Sequence, residues 1–291
     1  MPSAVKMRTL LETGVHFGHR TTKWNPKMAE FIFTERNGIH IIDLQQTLHN
    51  LNVYHDMIAN IVRDGGLVLF VGTKRQAQEI VQREADRCGM PYVNHRWLGG
   101  TLTNWRTIRD RIDTLKKLEK RREAGEFARL TKKEALVLER KIAKLQLRLG
   151  GIRDMKRLPN LIIVVDADRE HTAVKEANIL KVPVMAMVDT NANPDVVDYV
   201  LPANDDAMRS IRLLVGALAD AVIEGRNLRQ SAGEEEEEEE AFVSAYDDEE
   251  IDDKDLLGAS TLAKLRDSKL FGDDDDNDDN DDVDDVDGDD E

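Results

Sequence analysis

Residues 68–76, VLFVGTKRQ, pass from four consecutive apolar residues through a Gly-Thr-Lys turn into a polar stretch, the order of a strand, a turn and a helix. Such an order brings a Lys to a helix N-terminus, where backbone N–H groups favour anions. Lys74 sits there. The stretch lacks the G-x-x-x-x-G-K-[ST] pattern, and no G-x-G-x-x-G follows any apolar run, so a nucleotide site is not expected. Thr73, Lys74 and Arg75 then read in one of two ways: a small basic edge that meets a ribose-phosphate backbone, or plain helix capping.

Outward from this stretch the same alternation repeats. Short apolar runs at Leu67–Val71, Pro91–Asn94, Leu161–Val165, Val184–Val188 and Tyr199–Leu201 are separated by helical patterns, which predicts an α/β domain with a mainly parallel sheet. Asp43 precedes an apolar-periodic stretch containing Leu44, Leu48, Leu51, Ile58 and Ile61, with Gln46 three positions on; this predicts a helix that starts with a capping box and stops at Gly65 and Gly66. Before it, Phe31–Phe33 and Ile39–Ile42 flank Asn37-Gly38, a dipeptide suited to the positive φ of a tight hairpin turn.

Between the second and third parallel runs the texture changes. Residues 93–105, VNHRWLGGTLTNW, have neither helical nor strand period and gather a His, an Arg and two Trp around a Gly pair. Arg96 and Trp97 offer a planar cation and a stacking face for phosphate and sugar, or the two tryptophans are core at a chain corner. After this segment Ile108, Ile112, Leu115 and Leu118, then Leu138, Ile142, Leu145 and Leu149, mark two amphipathic helices. Residues 124–129 break them, and Thr131-x-x-Glu134 restarts the second. An antiparallel helical hairpin inserted between two strands is expected, projecting from the domain.

Charge is divided unevenly along the 291 residues. The formal net charge is −16, yet residues 231–291 hold 29 acidic and 4 basic residues, while the first 230 hold 37 basic against 28 acidic. Residues 106–149 alone carry 15 Lys or Arg against 7 Asp or Glu. So concentrated a positive field favours a polyanion, and nucleic acid is the usual one. The acidic end, with Glu234–Glu240 and the aspartate-rich 273–291, cannot collapse into a core and is expected to be disordered. Within it LLGASTLAKLRDSKLF, 256–271, is either a greasy interruption or a short helix for a partner.

Other function classes are weakened by what the residues lack. Cys88 is the one cysteine, which excludes an intrachain disulfide and fits a reducing compartment. No apolar run approaches membrane-spanning length, and the N-terminus MPSAVKMRTLLETGVHFGH shows no signal-peptide core. His16 and His19 lie three apart, but no nearby Cys or third His completes a tetrahedral set in sequence, His95 being distant along the chain, so no metal is expected and structural imidazoles are preferred. Asp166, Asp168 and Asp189 fall at strand ends where α/β enzymes place catalytic groups. No nucleophile motif accompanies them, so capping and turn roles are expected.

Several blocks, in order, resemble the bacterial and organellar form of the ribosomal small-subunit protein two family (S-two). They are VNHRWLGGTLTNW, GVHFGHRTTKWNPKM (14–28), HIIDLQQT (40–47), FVGTKRQA (70–77), GIRDMKRLPN (151–160), VDTNANPD (188–195) and NDDAMRSIRLL (204–214). The resemblance spans nearly all of the first 230 residues and none of the acidic end. It implies a flavodoxin-like, five-stranded parallel sheet over 1–105 and 150–230, and a coiled-coil hairpin over 106–149. It also implies a noncatalytic structural role in the small ribosomal subunit during translation, without cofactor, small-molecule substrate or membrane. Implied partners are small-subunit ribosomal RNA and neighbouring ribosomal proteins, among them the large RNA-binding protein one; the implied place is the cytoplasmic ribosome of a bacterium, with a plastid as the other option.

On that reading the RNA-binding candidates are Arg20, Lys23, Lys74, Arg75, Arg96 and Trp97, with Arg109, Lys116, Lys117 and Lys141 on the hairpin. Lys27 and Trp24 fit the same edge as Arg20 and Lys23, the other reading of Trp24 being a core side chain. One departure stands out: Ala192 and Asn193 occupy positions where many relatives carry Cys and Asp, so a role for that cysteine cannot transfer, and Asn191 and Pro194 are left to keep the loop. The rival reading is a nucleotide- or sugar-phosphate-binding α/β enzyme, and a third is a free RNA-binding regulator.

Overall fold

The structure, a computed structural model, describes the backbone of residues 5–247 and the side chains of residues 5–232. Two compact units are distinguished, Met1–Gly233 and Glu234–Glu291. Helix α1 (Met7–Thr13) leads into strand β1 (Phe17–Arg20), followed by two short 3-10 turns, strands β2 (Ile32–Arg36) and β3 (Ile39–Ile42), and helix α2 (Leu44–Arg63). Strands β1 and β2 flank β3 in a three-stranded antiparallel sheet. Asn37 and Gly38, at φ 54° and 72°, make its tight turn, as the dipeptide predicts.

Strand β1 has no counterpart in the sequence reading. Its four residues, FGHR, are half-exposed or exposed throughout, so they carry no alternation to betray a strand. Gly18 explains why it fits: a Cβ at this position would lie 2.6 Å from Thr190 Cγ2. Helix α2 starts at Asp43, whose Oδ1 accepts from Gln45 N at 2.9 Å. The Gln46 side chain closes on Asp43 Oδ2 at 3.1 Å, not on the backbone N–H that a full capping box would use.

The main sheet is formed by β4 (Val68–Val71), β5 (Tyr92–Val93), β6 (Leu161–Val165), β7 (Val184–Val188) and β8 (Tyr199–Pro202), all parallel, in the order β5-β4-β6-β7-β8. That is the flavodoxin-like winding, with the reversal between β4 and β6. Both faces are covered, so the strands read as unbroken apolar runs instead of alternating ones. On one face Leu161, Ile163 and Val165 of β6 join α2, α3 (Arg75–Cys88) and the start of α7 (Met208–Asp247) through Ile58, Val81 and Leu218. On the other Ile162 and Val164 meet α6 (His171–Ile179) through Ala173, Val174 and Ala177. Burying each large aliphatic side chain contributes about 1.5–3 kcal/mol.

Helices α4 (Trp105–Glu123) and α5 (Lys132–Leu149) lie between β5 and β6 in the chain. Ile108, Ile112 and Leu149 at their base belong to the second core layer; Leu115, Leu118, Phe127 and Ile142 further out form a small core of their own with Leu130, Ala135 and Leu138. The outer part of the pair is therefore held by its own apolar seam. Thr131 Oγ1 accepts from Glu134 N, and the Glu134 carboxylate accepts from Thr131 N, the reciprocal cap its spacing predicts.

The backbone of α7 remains helical past residue 231 as far as Asp247, where glutamate and alanine are good helix formers. Residues 248–291 lie outside the described residues, and with them the sequence expectations for 256–271 and for the aspartate-rich end. Among the described residues no helix is long and apolar enough to cross a membrane.

Candidate nucleic-acid interface

The loops that leave the C-terminal ends of β4 and β5 carry part of the candidate set. Arg75 opens α3 after β4, and Arg96 follows β5; both side chains are exposed. Arg20 and Lys23, also exposed, sit on the segment that β1 brings to the same edge: Asn25 N donates to Thr190 O at 2.8 Å and His19 N to Thr190 Oγ1 at 2.8 Å. Trp24 remains 38% exposed, its ring tilted over His40 at a centroid distance of 5.0 Å. Lys27, by contrast, pairs with Asp195.

Lys74 is placed differently from its neighbours. Its ammonium lies 2.7 Å from Asp205 Oδ1, 2.6 Å from Asp206 Oδ1 and 3.3 Å from Asp166 Oδ2, and its side chain is only 12% exposed. Burial alone would lower its pKa, but the hydrogen bond and charge of Asp205, then Asp206 and Asp166, outweigh it and raise the value. Asp205 is pushed up to about 7 by burial and by the neighbouring Asp166 and Asp189 carboxylates, against the pull of Lys74. The charge of Lys74 is spent inside the protein.

The anion position at the switch between β4 and β6 is likewise taken by the chain itself. Glu170, buried at the start of α6, accepts from Thr73 N at 2.9 Å and from the Thr73 hydroxyl. A carboxylate thus stands where a doubly wound enzyme would hold a ligand phosphate. Asp166 Oδ1 accepts from Arg169 N at 3.0 Å, and Asp189 Oδ1 from Thr190 N at 2.6 Å, so both act in turns. Asp168 is exposed. Asn193, not Asn191, caps the short 3-10 turn at Pro194, accepting from Asp195 N at 3.2 Å, while Ala192 is buried.

The aperiodic segment after β5 is organised by one remote carboxylate. Glu176 of α6 accepts from Trp97 Nε1 at 3.1 Å, Gly100 N at 2.8 Å, Leu102 N at 3.0 Å, and the Thr103 amide and hydroxyl at 3.3 Å each. Its burial would raise its pKa, yet these donors, Leu102 and Gly100 first, hold it below the usual carboxylate value. Trp97 is 8% exposed and belongs to the core beneath the loop, with Trp105 half-buried beside it. The ring therefore offers no free stacking face. Arg96 is left outside.

On the helical pair, Arg109, Lys117 and Lys141 are exposed and, among the described residues, make no ion pair; Lys116 makes a loose one with Asp154 at 3.4 Å. Of the histidines, His19 lies 3.1 Å from Asp189 Oδ1, which raises its pKa chiefly through that hydrogen bond, whereas burial lowers that of His16. His95 is exposed.

The family described as ribosomal protein S2 matches residues 10–225. Among curated relatives, the small ribosomal subunit protein uS2 of Petrotoga mobilis (strain DSM 10674 / SJ95) is 55% identical over 227 residues, covering 78% of this chain and 79% of the relative. With a matching span that takes in both sheets, the inserted helical pair and the loops of the basic edge, this chain belongs to the ribosomal protein S2 family.

Proposed function

We propose that the chain serves the small ribosomal subunit by laying two exposed basic surfaces on ribosomal RNA: the edge with Arg20, Lys23, Arg75 and Arg96, and the helical pair with Arg109, Lys116, Lys117 and Lys141. As a member of the S2 family it is a structural, noncatalytic constituent of that subunit. The observation that carries the RNA reading is the basic surplus of residues 106–149 on a helical pair whose Arg109, Lys117 and Lys141 are exposed and unpaired among the described residues. Charges left in water are the ones a phosphate backbone recruits, with release of its counterions. RNA helices are contacted this way mainly by shape and phosphate, with little base reading.

Within this reading Lys74 and Trp97 act from the inside. Lys74 fixes the turns after β4 and β8, and Trp97 fixes the loop that presents Arg96. Neighbouring small-subunit proteins, including the large protein one, are the proposed protein partners, and a bacterial cytoplasmic ribosome is the proposed setting, supported by the Petrotoga relative. Pelleting small subunits from the cell of origin at moderate salt tests the assignment. The protein is expected in the pellet; recovery in the supernatant would overturn it. A nucleotide- or sugar-phosphate enzyme is not supported, for Glu170 fills the position its ligand would need.

A further inference from the structure

Between the foot of the helical pair and the edge strand β5 lies a cavity of about 460 Å³. Gln82 of α3, Tyr92 of β5 and Asn94 line it on the sheet side, Glu119 of α4 and Gln146 of α5 on the helical side, with Arg153 just beyond. Its size suits a small ligand. Gly151, also in the lining, lets the chain close there, since a Cβ on it would lie 2.2 Å from Tyr92 O and 2.7 Å from Tyr92 Cδ2.

The lining holds a carboxylate that the chain does not satisfy. Glu119 is 5% exposed, and its Oε2 is buried without accepting a hydrogen bond. Arg153 Nη1 lies 3.0 Å from that oxygen, close enough to balance its charge but too poorly aligned to donate. A buried acceptor left unmatched is costly, so the position calls for N–H donors from a ligand. Other groups offer the opposite polarity. Asn94 Nδ2 donates to Gln78 O at 3.2 Å and to Gln82 Oε1 at 3.1 Å, which leaves the Gln82 NH2 group as a donor. Gln146 adds an exposed amide, and Tyr92 a partly buried ring.

Because Glu119 and Arg153 offset each other's charge, the cavity does not demand a second cation. It fits a neutral ring with paired donors on one edge and acceptors on another. Guanine is the nucleobase with that pattern: N1–H and N2–H match a carboxylate, while O6 and N7 match amide donors. One turn outward on the same helix faces, Arg122 of α4 and Arg140 of α5 are exposed and make no ion pair among the described residues, as an attached phosphate would require.

We infer that this cavity binds a guanine base, carried by a free nucleotide or by an unpaired RNA residue. Glu119 accepts from N1–H and N2–H, the amides of Gln82 and Gln146 donate to O6 and N7, and Tyr92 lies beside the ring. The RNA form rests on the RNA reading of the helical pair; the nucleotide form does not.

The test is a calorimetric titration of the full-length chain with GMP, IMP and AMP, and a parallel one with a short uridine-rich RNA strand holding a single guanosine or inosine. The guanine ligand should bind at least about tenfold more tightly than its inosine counterpart, which lacks the N2 amine; that is the scale of one hydrogen bond to a charged group. Glu119→Gln should erase this preference. A preference in the GMP arm assigns the site to a free nucleotide, and one confined to the strand assigns it to RNA. Circular dichroism checks that Glu119→Gln folds; if it does not, Gln82→Ala, at an exposed position, replaces it and should weaken the guanine ligand at least about threefold. No guanine preference in either arm, or one unchanged in the folded variant, would overturn the inference. Capture of N-acetylarginine amide in place of GMP would also overturn it, and would point to a partner's cation. None of these results bears on cosedimentation with small subunits, so failure here leaves the ribosomal reading intact.

Discussion

The sheet's C-terminal edge and the inserted helical pair both look basic in sequence, but they use their charge in opposite ways. At the edge, Lys74 is bound to three aspartates, and buried carboxylates on Glu170 and Glu176 collect backbone donors from neighbouring loops. On the helical pair Arg109, Lys117 and Lys141 stand in solvent without a carboxylate among the described residues. A count of cations therefore says little about a polyanion partner until the internal pairs are subtracted. Among the described residues, Arg20, Lys23, Arg75 and Arg96 are exposed at the edge and make no ion pair.

Breaking the internal side of this contrast should produce the largest effects. Lys74→Met leaves Asp166, Asp205 and Asp206 facing one another and is expected to cost about 3–5 kcal/mol, the usual loss when one partner of a buried pair is removed. Urea denaturation measures it. A loss below about 1 kcal/mol would mean that Lys74 is not structural.

Next in size comes Glu176→Gln, which sets an amide NH2 against donors gathered for a carboxylate; about 3 kcal/mol is expected from the unsatisfied groups. Its pH dependence has a definite sign. Because the folded pKa of Glu176 is depressed, its contribution is present above the unfolded value of about 4.3 and fades as pH falls through the lower folded value. Wild type should thus lose its advantage over the variant below about pH 4.

On the outer side, replacing Arg109, Lys116, Lys117 and Lys141 together with Gln should shift stability within about 0.5 kcal/mol per site, yet weaken RNA binding strongly at low salt. Equal RNA affinity would erase the contrast. The smallest expected change is Thr131→Ala, about 1 kcal/mol from the lost cap of α5, seen in thermal melts with RNA contacts otherwise unaltered.

What was legible in the sequence is what short-range chemistry writes. The five apolar runs, the Asn37-Gly38 turn, the Thr131–Glu134 cap and the two helical stripes all depend on residues within a few positions of each other. Strand β1 escaped because its partners and the contact of Gly18 with Thr190 lie elsewhere in the chain. The same distance hid the candidate site's division. Nothing near Trp97 announces that Glu176 will take its N–H, and nothing near Lys74 announces three aspartates from beyond β6 and β8. The family resemblance located the loops but could not say which of their cations face outward.

The most direct test of that division is the salt dependence of binding to small-subunit ribosomal RNA, compared between wild type and the four-site hairpin variant. Each phosphate contact contributes about 0.7–0.9 to the slope of log K against log salt. The magnitude of the slope should fall by about 3 to 3.5 in the hairpin variant; an unchanged slope would contradict the assignment of the exposed hairpin charges to RNA.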